Sequence, residues 1–453
     1  MSEKAPSRPI FSLKKTRREP SLTAQSTPHA ARRVLVVAHN HPGFFPGGGE
    51  VLAYQLFELL RAQPHYEAFF LGATGRMSRE AHPGTAFLAY DGRPDEYLFF
   101  GDNFDYFLQS QRQAEFLYRD FANFLRALKP DVVHFHHTLR IGVEALRIVR
   151  DTLPDARIVY TLHDFIPLCH RDGQMLRRFD DSLCEKASPA RCHACFPDIS
   201  SARFKLREQF IKTHFSLVDA FVSPSVMLAQ RFAAWGLPDE KIHVIHNGTP
   251  ALPPAPPRPI ERDGLRNRFG FFGQISHYKG TLLLVEAARN LVERGITDFS
   301  VAIHGNLSLQ PEAWQQRFLA EIENSHGTVQ YHGRYDPAQL PQLMAEIDWV
   351  VVPSIWWENA PLVISEALRH GRPVICSDIG GMAEKIAHRQ SGLHFTTGSA
   401  HSLADTMRYA MEEPRRWEEL HQRITPPPSL EKCLEEYIQL YLQKSSMMLP
   451  RTA

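Results

Sequence analysis

Short, continuous apolar runs alternate with segments of helical periodicity along most of this chain. Residues 33–40 and residues 156–164 are typical of buried strands, which read as unbroken apolar runs when both faces of a sheet are covered. The segments between such runs space apolar residues three or four positions apart, as amphipathic helices do. This alternation predicts an α/β fold built from parallel, doubly wound sheets.

One proline-dense stretch interrupts the alternation. Six prolines fall within residues 249–259, where neither period survives, so this segment predicts a stiff and extended linker. The pattern restarts after it, and 453 residues are too many for one ordinary core. We therefore expect a basic tail at residues 1–31, an N-terminal domain at 32–248, a linker at 249–266, a C-terminal domain at 267–425 and a terminal helix at 426–445.

Composition narrows the class of protein. The net charge of +1 argues against a general nucleic-acid binder, and 43% apolar with 22% charged residues is typical of a soluble globular protein. No apolar run could span a bilayer, and the N-terminus lacks the apolar core of a signal peptide. Residues 1–33 carry eight lysines or arginines against two glutamates. We expect a cytoplasmic protein with a disordered tail; the alternative is a peripheral contact of this tail with anionic lipid at the inner face of the membrane.

Four of the six cysteines cluster in an insertion at residues 169–195. Cys169, Cys184, Cys192 and Cys195 have the spacing C-x14-C-x7-C-x2-C, which suits a structural Zn²⁺ site. Free or redox-active thiols and an iron–sulfur cluster are the alternatives. We expect the cluster to order the insertion and to take no direct part in chemistry.

Residues 354–374 combine an anion site with two acids. After an apolar strand run, the chain passes Glu358 and Pro361 in a loop and enters a helix that holds Glu366. Pro361 suits a first helical turn, and a helix N-terminus offers free N–H groups to a phosphate. A carboxylate further along suits a hydroxylated ligand such as a ribose. An ordinary strand–loop–helix unit with two solvated acids is the alternative.

Two further features fall where strands leave the predicted N-terminal sheet. The glycines at residues 47–49 would let a ligand approach the backbone closely, although they match neither the G-x-G-x-x-G nor the P-loop pattern. A plain turn and a phosphate contact both remain open for them. His163 ends another strand and is followed by Asp164. Because ligands bind at such strand ends in open α/β sheets, His163 is a stronger functional candidate than His134.

In their order along the chain, these features resemble the retaining glycosyltransferases of family 4, which have the GT-B fold. The resemblance covers residues 32–445. Its most specific part is the Glu358-x7-Glu366 pair with Gly-Arg-Pro-Val at residues 371–374. Further support comes from Lys279-Gly280, Gly380-Gly381 with Glu384, and His163. It implies two Rossmann-like domains facing each other across a cleft, with the C-terminal helix crossing back to the N-terminal domain.

The resemblance also implies roles for individual residues. A nucleotide-diphosphate-sugar donor would lie mainly on the C-terminal domain, with Glu366 at the ribose, Glu358 at the sugar and Lys279 neutralising the diphosphate. The remaining donor contacts would be Gly48, Gly49, Gln274, Asn359, Ala360, Pro361, Leu362 and Val363, with His163 near the sugar and the acceptor. Gln274 stands where the family usually has an arginine, so more of the leaving-group charge would fall on Lys279. No cofactor besides the donor is implied for catalysis.

The expected activity is transfer of a sugar, with retention of its anomeric configuration, to an acceptor hydroxyl on a glycan, a glycolipid or another cell-envelope molecule. Two alternatives remain: a non-catalytic binding module with a GT-B-like fold, and a sugar-nucleotide epimerase. The intact set of Lys279, Glu358, Glu366 and His163 favours the transferase. The sequence leaves the base, the sugar, the acceptor and the oligomeric state open, and no nucleic-acid partner is expected.

Overall fold

Two parallel sheets dominate this protein, one in each half of the chain. The structure, a computed structural model, describes residues 31–44, 47–75, 85–112, 117–260 and 264–443. The expectation of a disordered tail therefore falls, except for residue 31, outside the described residues. Among the residues that are described, no helix combines the length and the apolar character needed to cross a bilayer.

The N-terminal half is built around an eight-stranded sheet whose central strands are the unbroken apolar runs. The strands of this sheet are β1 (Arg32–Ala38), β2 (Tyr66–Thr74), β3 (Phe87–Ala89), β4 (Glu96–Phe100), β7 (Val132–Phe135), β8 (Arg157–Thr161), β9 (Ala220–Ser223) and β10 (Ile242–Val244). A separate small hairpin is formed by β5 (Phe104–Asp105) and β6 (Ser110–Gln111). The sheet order is β10-β9-β8-β7-β1-β2-β4-β3, and β3 alone runs antiparallel to its neighbour.

Helices cover this first sheet on both faces. They are α1 (Gly48–Arg61), a π-helical turn (Leu117–Phe121) that continues into α2 (Ala122–Leu128), α3 (Glu144–Thr152), α4 (Pro189–Cys195), α5 (Ser201–Phe215) and α6 (Val226–Trp235), with a short 3-10 turn (Asp239–Lys241). The aromatic segment around residues 90–118 supplies β4. That strand pairs with β2 because its apolar residues fit a half-buried sheet position.

The C-terminal half repeats the design with a six-stranded, all-parallel sheet. Its strands are β11 (Arg268–Phe272), β12 (Ser300–His304), β13 (Val329–Gly333), β14 (Trp349–Val352), β15 (Val374–Ser377) and β16 (Gly392–Phe395), in the order β13-β12-β11-β14-β15-β16. Its helices are α7 (Thr281–Glu293), α8 (Glu312–Glu323), a 3-10 turn (Pro337–Gln339), α9 (Leu340–Ala345), α10 (Leu362–Arg369), α11 (Gly380–Lys385), α12 (Ala400–Glu412) and α13 (Pro414–Arg423).

The proline-rich segment is extended, but its second half packs on the C-terminal domain. The Arg258 guanidinium donates to the buried Asp348 carboxylate, with Nε 3.1 Å from Oδ2, and the Ala255 N–H donates to His370 Nδ1 at 2.9 Å. A buried arginine of this kind needs its carboxylate partner, because an unpaired buried charge is costly. The freely spanning part of the connection is therefore shorter than the proline run.

The last helix, α14 (Leu430–Leu442), crosses back to the N-terminal half, as the GT-B resemblance implied. Leu434, Tyr437 and Tyr441 join a buried cluster with residues of α1 and of the first sheet. The Tyr441 hydroxyl lies 2.7 Å from His134 Nδ1 on β7. His134 is thereby a structural residue, which agrees with its lower rank as a functional candidate.

Candidate active site

The loops that carry the candidate residues leave the two sheets where the strand order reverses. β1 lies between β2 and β7, and β11 lies between β12 and β14, so the loops after these strands diverge to opposite faces. Such switch points are where open α/β sheets bind ligands. The glycines at residues 47–49 follow β1, Lys279 follows β11, and the loop at residues 353–361 follows β14. The topology therefore brings the predicted residues to one cleft.

Lys279 and Glu358 form an ion pair on the C-terminal wall of this cleft. Lys279 Nζ lies 2.6 Å from Glu358 Oε1, and the same oxygen accepts hydrogen bonds from Ser354 Oγ and Trp356 Nε1, each at 2.8 Å. Burial raises the pKa of Glu358, but Lys279 and the two hydrogen bonds outweigh it, so the net pKa is lowered. Glu358 Oε2 has no hydrogen-bond partner in the described part of the chain and is available to a ligand.

Close backbone approaches fix the loop that carries Glu358. Gly280 has a left-handed φ of +68°, and a Cβ there would collide with the Pro353 carbonyl. The Gly381 N–H donates to the Glu358 carbonyl at 2.7 Å, and a Cβ on Gly381 would strike the Asn359 carbonyl. These glycines are required by packing, which explains why the Lys-Gly and Gly-Gly pairs accompany the two acids.

Glu366 lies on α10, and no hydrogen bond to its carboxylate occurs among the described residues. Burial raises its pKa, and the nearby charges of Arg369 and Lys385 offset that effect only in part. The pKa of the Tyr335 phenol is raised mainly by burial and secondly by the nearby Glu366 carboxylate. Glu366 is half-buried, and a carboxylate that is partly withdrawn from water without a hydrogen-bond partner is costly. Hydroxyl groups of a ligand would remove that cost.

The backbone of residues 359–363 leads into α10, and Pro361, which was expected in the first helical turn, instead lies just before it. Pro361 is the N-cap residue, and α10 begins at Leu362, so the first N–H groups of the helix have no intrahelical acceptor. Ala360 lies in the turn before them. Gln274 is exposed in the loop between β11 and α7. Gln274 is therefore open to solvent, while residues 359–363 lie in the loop and first turn of α10 on the C-terminal wall.

The N-terminal wall faces this arrangement directly. A Cβ on Gly48 would lie 3.5 Å from Leu362 Cδ1, and one on Gly49 would lie 3.6 Å from His163 Cγ. Asn359 Nδ2 donates to the His163 carbonyl at 2.7 Å across the cleft. The predicted loops of the two halves therefore contact each other here, through Gly48 with Leu362 and His163 with Asn359.

A cluster of histidines behind His163 was missed in the sequence. His136 Nδ1 lies 2.9 Å from His163 Nε2, and His137 Nε2 lies 3.1 Å from the Asp164 carboxylate. His39 Nε2 lies 2.9 Å from Glu50 Oε1 beneath the glycine loop. The signal in the sequence was the run of histidines at positions 134, 136 and 137, and the pairing of β7 with β8 brings His136 to His163.

Two contacts join the walls at the rear of the cleft. The Glu384 carboxylate on α11 accepts hydrogen bonds from the backbone N–H groups of Val226 and Met227, at 2.8 and 2.7 Å. These groups begin α6 in the other domain, where a negative charge is favoured. Trp357 also lies under the Arg231 guanidinium of α6, 4.3 Å from the ring centroid. The loop that carries Glu358 is therefore anchored on the N-terminal domain.

The cysteine insertion does not form the predicted zinc site. Among the residues described, no three His, Cys, Asp or Glu side chains are grouped so that they could hold a metal ion. All four cysteines are free thiols. Cys192 and Cys195 lie on helix α4, and burial raises the pKa of Cys192 to about 11. The prediction of a zinc site is therefore wrong. The insertion is instead held by contacts of its side chains. Arg171 forms an ion pair with Asp181 at 2.7 Å and donates a hydrogen bond to the Tyr278 hydroxyl across the cleft at 3.1 Å.

The chain is similar to known proteins along most of its length. The family model "Glycosyltransferase Family 4" matches residues 46–251, and the model "Glycosyl transferases group 1" matches residues 257–426. An uncharacterized glycosyltransferase of Methanocaldococcus jannaschii is 25% identical over 47% of this chain and 55% of its own length. A D-inositol 3-phosphate glycosyltransferase of Pseudarthrobacter chlorophenolicus is 32% identical over 32% of this chain and 34% of its own length. The chain thus spans about half of the first relative and about a third of the second.

Solved structures share the fold at low sequence identity. Anabaena HepE in complex with UDP and glucose has a TM-score of 0.62 and 18% identity, covering 90% of this chain and 99% of that one. The sucrose-phosphate synthase of Thermosynechococcus elongatus has a TM-score of 0.64 and 16% identity, covering 90% of this chain and 98% of that one. The two family models together match most of the chain, the fold agrees with them, and the protein belongs to the family 4-like glycosyltransferases with the GT-B fold.

Proposed function

We propose that this protein transfers a sugar from a nucleotide-diphosphate-sugar to an acceptor hydroxyl, with retention of the anomeric configuration. The observation that carries the proposal is the contact between the two walls beside the Lys279–Glu358 ion pair: Asn359 Nδ2 donates to the His163 carbonyl, and Gly48 lies against Leu362. Anabaena HepE, which has the same fold, is known in complex with UDP-glucose, so a UDP-sugar is the first donor to test.

The donor would bind along the C-terminal wall. Glu366, half-buried and without a hydrogen-bond partner among the described residues, would accept hydrogen bonds from the ribose hydroxyls. The free N–H groups at the start of α10 and the Lys279 ammonium would meet the diphosphate, where negative charge grows as the sugar leaves. Glu358 Oε2 would accept from a sugar hydroxyl, while its other oxygen stays bound to Lys279.

The transfer step would proceed on one face of the sugar. The bond between the anomeric carbon and the phosphate oxygen breaks, and the acceptor oxygen forms the new bond on the same face. The acceptor hydroxyl passes its proton to the departing phosphate, so no protein base is needed. Closure of the cleft excludes water that would otherwise hydrolyse the donor. The acceptor class we propose is a hydroxyl of a glycan or glycolipid of the cell envelope.

Thermal unfolding of the full chain with UDP, GDP and ADP tests donor binding first. A ligand present at one hundred times its Kd stabilises the fold by about 2.7 kcal/mol, so one diphosphate should raise the unfolding temperature clearly. The matching sugar nucleotide is then incubated with candidate acceptors, and NMR reads the anomeric configuration of the product. An inverted product overturns the retaining mechanism. An altered sugar nucleotide without any acceptor would indicate the epimerase, and no stabilisation by any diphosphate would indicate a non-catalytic module.

A further inference from the structure

The His163 imidazole is held from behind by a second histidine. His136 Nδ1 lies 2.9 Å from His163 Nε2, and the two rings stack with centroids 5.1 Å apart. His136 is 3% exposed and follows β7, which pairs with the strand that precedes His163. For these two nitrogens to share a hydrogen bond, one must carry the proton and the other must offer a lone pair.

Burial keeps both rings neutral near pH 7. It lowers the pKa of His163 to about 4 and the pKa of His136 well below its ordinary value. A neutral imidazole carries one N–H, so the pair has two arrangements. Either His136 donates from Nδ1 to His163 Nε2, or His163 donates from Nε2 to His136 Nδ1.

The surroundings of His136 distinguish the two arrangements. Its Nε2 atom is buried and has no hydrogen-bond partner in the described part of the chain. The ring lines a pocket whose other walls include Leu52, Leu56 and Leu59 of α1. If His163 were the donor, the proton of His136 would sit on Nε2 as a buried N–H without an acceptor. Such orphaned donors are rarer in proteins than unpaired acceptors.

We propose that His136 is a positioning residue, which donates from Nδ1 and fixes His163 in the tautomer with its proton on Nδ1. A Cβ on Gly49 would lie 4.0 Å from that Nδ1, which has no hydrogen-bond partner among the described residues. His163 then presents an N–H donor to the cleft. Resting on the proposed function, this assigns His163 to a ligand oxygen, such as a sugar hydroxyl or a diphosphate oxygen, and not to proton removal from the acceptor.

Long-range proton–nitrogen NMR of the full chain, labelled with ¹⁵N-histidine, reads the tautomer directly. The His163 signals are assigned by their loss in His163→Gln. We expect the proton on Nδ1 in the wild type. His136→Asp, whose carboxylate can only accept, should move the proton to Nε2, whereas His136→Asn, which has the same shape and can donate, should keep it on Nδ1. A wild-type His163 with its proton on Nε2 overturns the proposal, whatever the variants do.

His134→Asn is the matched control, because His134 lies on the same strand and binds Tyr441 and Thr161 at 2.7 Å each. It should leave the His163 tautomer unchanged. Sugar transfer should fall about tenfold or more in His136→Asp and remain within about threefold of wild type in His136→Asn, as loss and retention of one hydrogen bond predict. Equal rates in both variants with a switched tautomer overturn the positioning role. If the wild type transfers no sugar, the proposed function fails, and the NMR result still decides the tautomer.

Discussion

The two walls of the cleft differ in the side chains that they offer to a ligand. The C-terminal wall is charged: Lys279 and Glu358 are paired at 2.6 Å, and Glu366 is a half-buried carboxylate. On the N-terminal wall the His163–His136 pair is neutral near pH 7, because burial lowers the pKa of both rings, and the nearby Glu50 and Asp164 carboxylates are each paired with another histidine; we call this the neutral wall. Charge on one wall suits a ligand that carries a diphosphate. A neutral wall suits a hydroxylated acceptor that must enter and leave.

The difference also separates two kinds of contribution to catalysis. A lysine that meets growing negative charge stabilises the transition state more than the ground state, so it raises kcat. Neutral hydrogen bonds orient the reactants and contribute less each. Substitutions on the charged wall should therefore have the larger effects, and the following predictions are ordered accordingly.

Lys279→Ala should give the largest loss. We expect turnover, measured as release of the nucleoside diphosphate in the presence of acceptor, to fall about 10²–10³-fold, as removal of one charge-stabilising donor does in other enzymes. Lys205, exposed on α5, offers the matched control, and Lys205→Ala should keep the wild-type rate. A Lys279→Ala rate within threefold of wild type would remove this lysine from the mechanism.

Glu366→Gln should weaken nucleotide binding more than it slows the chemical step. Two hydrogen bonds from ribose hydroxyls to a carboxylate are lost or weakened, so titration calorimetry should show an affinity about tenfold to a hundredfold lower. Glu346→Gln, at an exposed position after α9, is the control for loss of one negative charge. An unchanged affinity in Glu366→Gln would count against the ribose contact.

The same carboxylate predicts how nucleotide affinity depends on pH. Burial raises the pKa of Glu366, so its charged, binding-competent form is lost at a higher pH than for an exposed glutamate. Affinity should therefore weaken as the pH falls from neutrality, before an exposed glutamate would be protonated, and less so in Glu366→Gln. His163 adds no titration there, since its pKa is about 4. Parallel pH curves for the two proteins would contradict the assignment.

Much of the charged wall could be predicted from the sequence, because its signals are local. Glu358 and Glu366 lie within one strand–loop–helix unit, and Pro361 marks where the helix begins. The glycines at residues 280 and 381 are required by close backbone contacts, which short motifs preserve. The alternating pattern also predicted both sheets, since unbroken apolar runs require burial on two faces.

The neutral wall was harder to predict because it is assembled from distant segments. His136 and His163 are 27 positions apart, and only the pairing of β7 with β8 brings them together. The histidine run after residue 131 was visible, but its partner was not. The prediction of a zinc site in the cysteine insertion was wrong for a related reason. Its spacing matched a metal site, yet Cys192 and Cys195 became part of helix α4, and no metal-binding group forms among the described residues.

Glu384→Gln should have the smallest effect, because it alters only how the two walls are joined. The carboxylate accepts from two N–H groups at the start of α6, and an amide oxygen without charge would do so less well. A charge at a helix N-terminus contributes about 0.3–1 kcal/mol, so the closed arrangement should lose a few-fold in population. We expect the donor KM to rise about twofold to fivefold with kcat nearly unchanged.

Ser225→Ala provides the contrast for Glu384→Gln at the same helix. Ser225 Oγ caps α6 from within the N-terminal domain, accepting from the Leu228 N–H at 3.3 Å. Its loss should cost about 1 kcal/mol of folding stability and lower the unfolding temperature, without changing the donor KM. If both variants raise the donor KM equally, the contact stabilises α6 itself and not closure. If only Glu384→Gln does, the charge from the C-terminal wall is what holds the neutral wall in place.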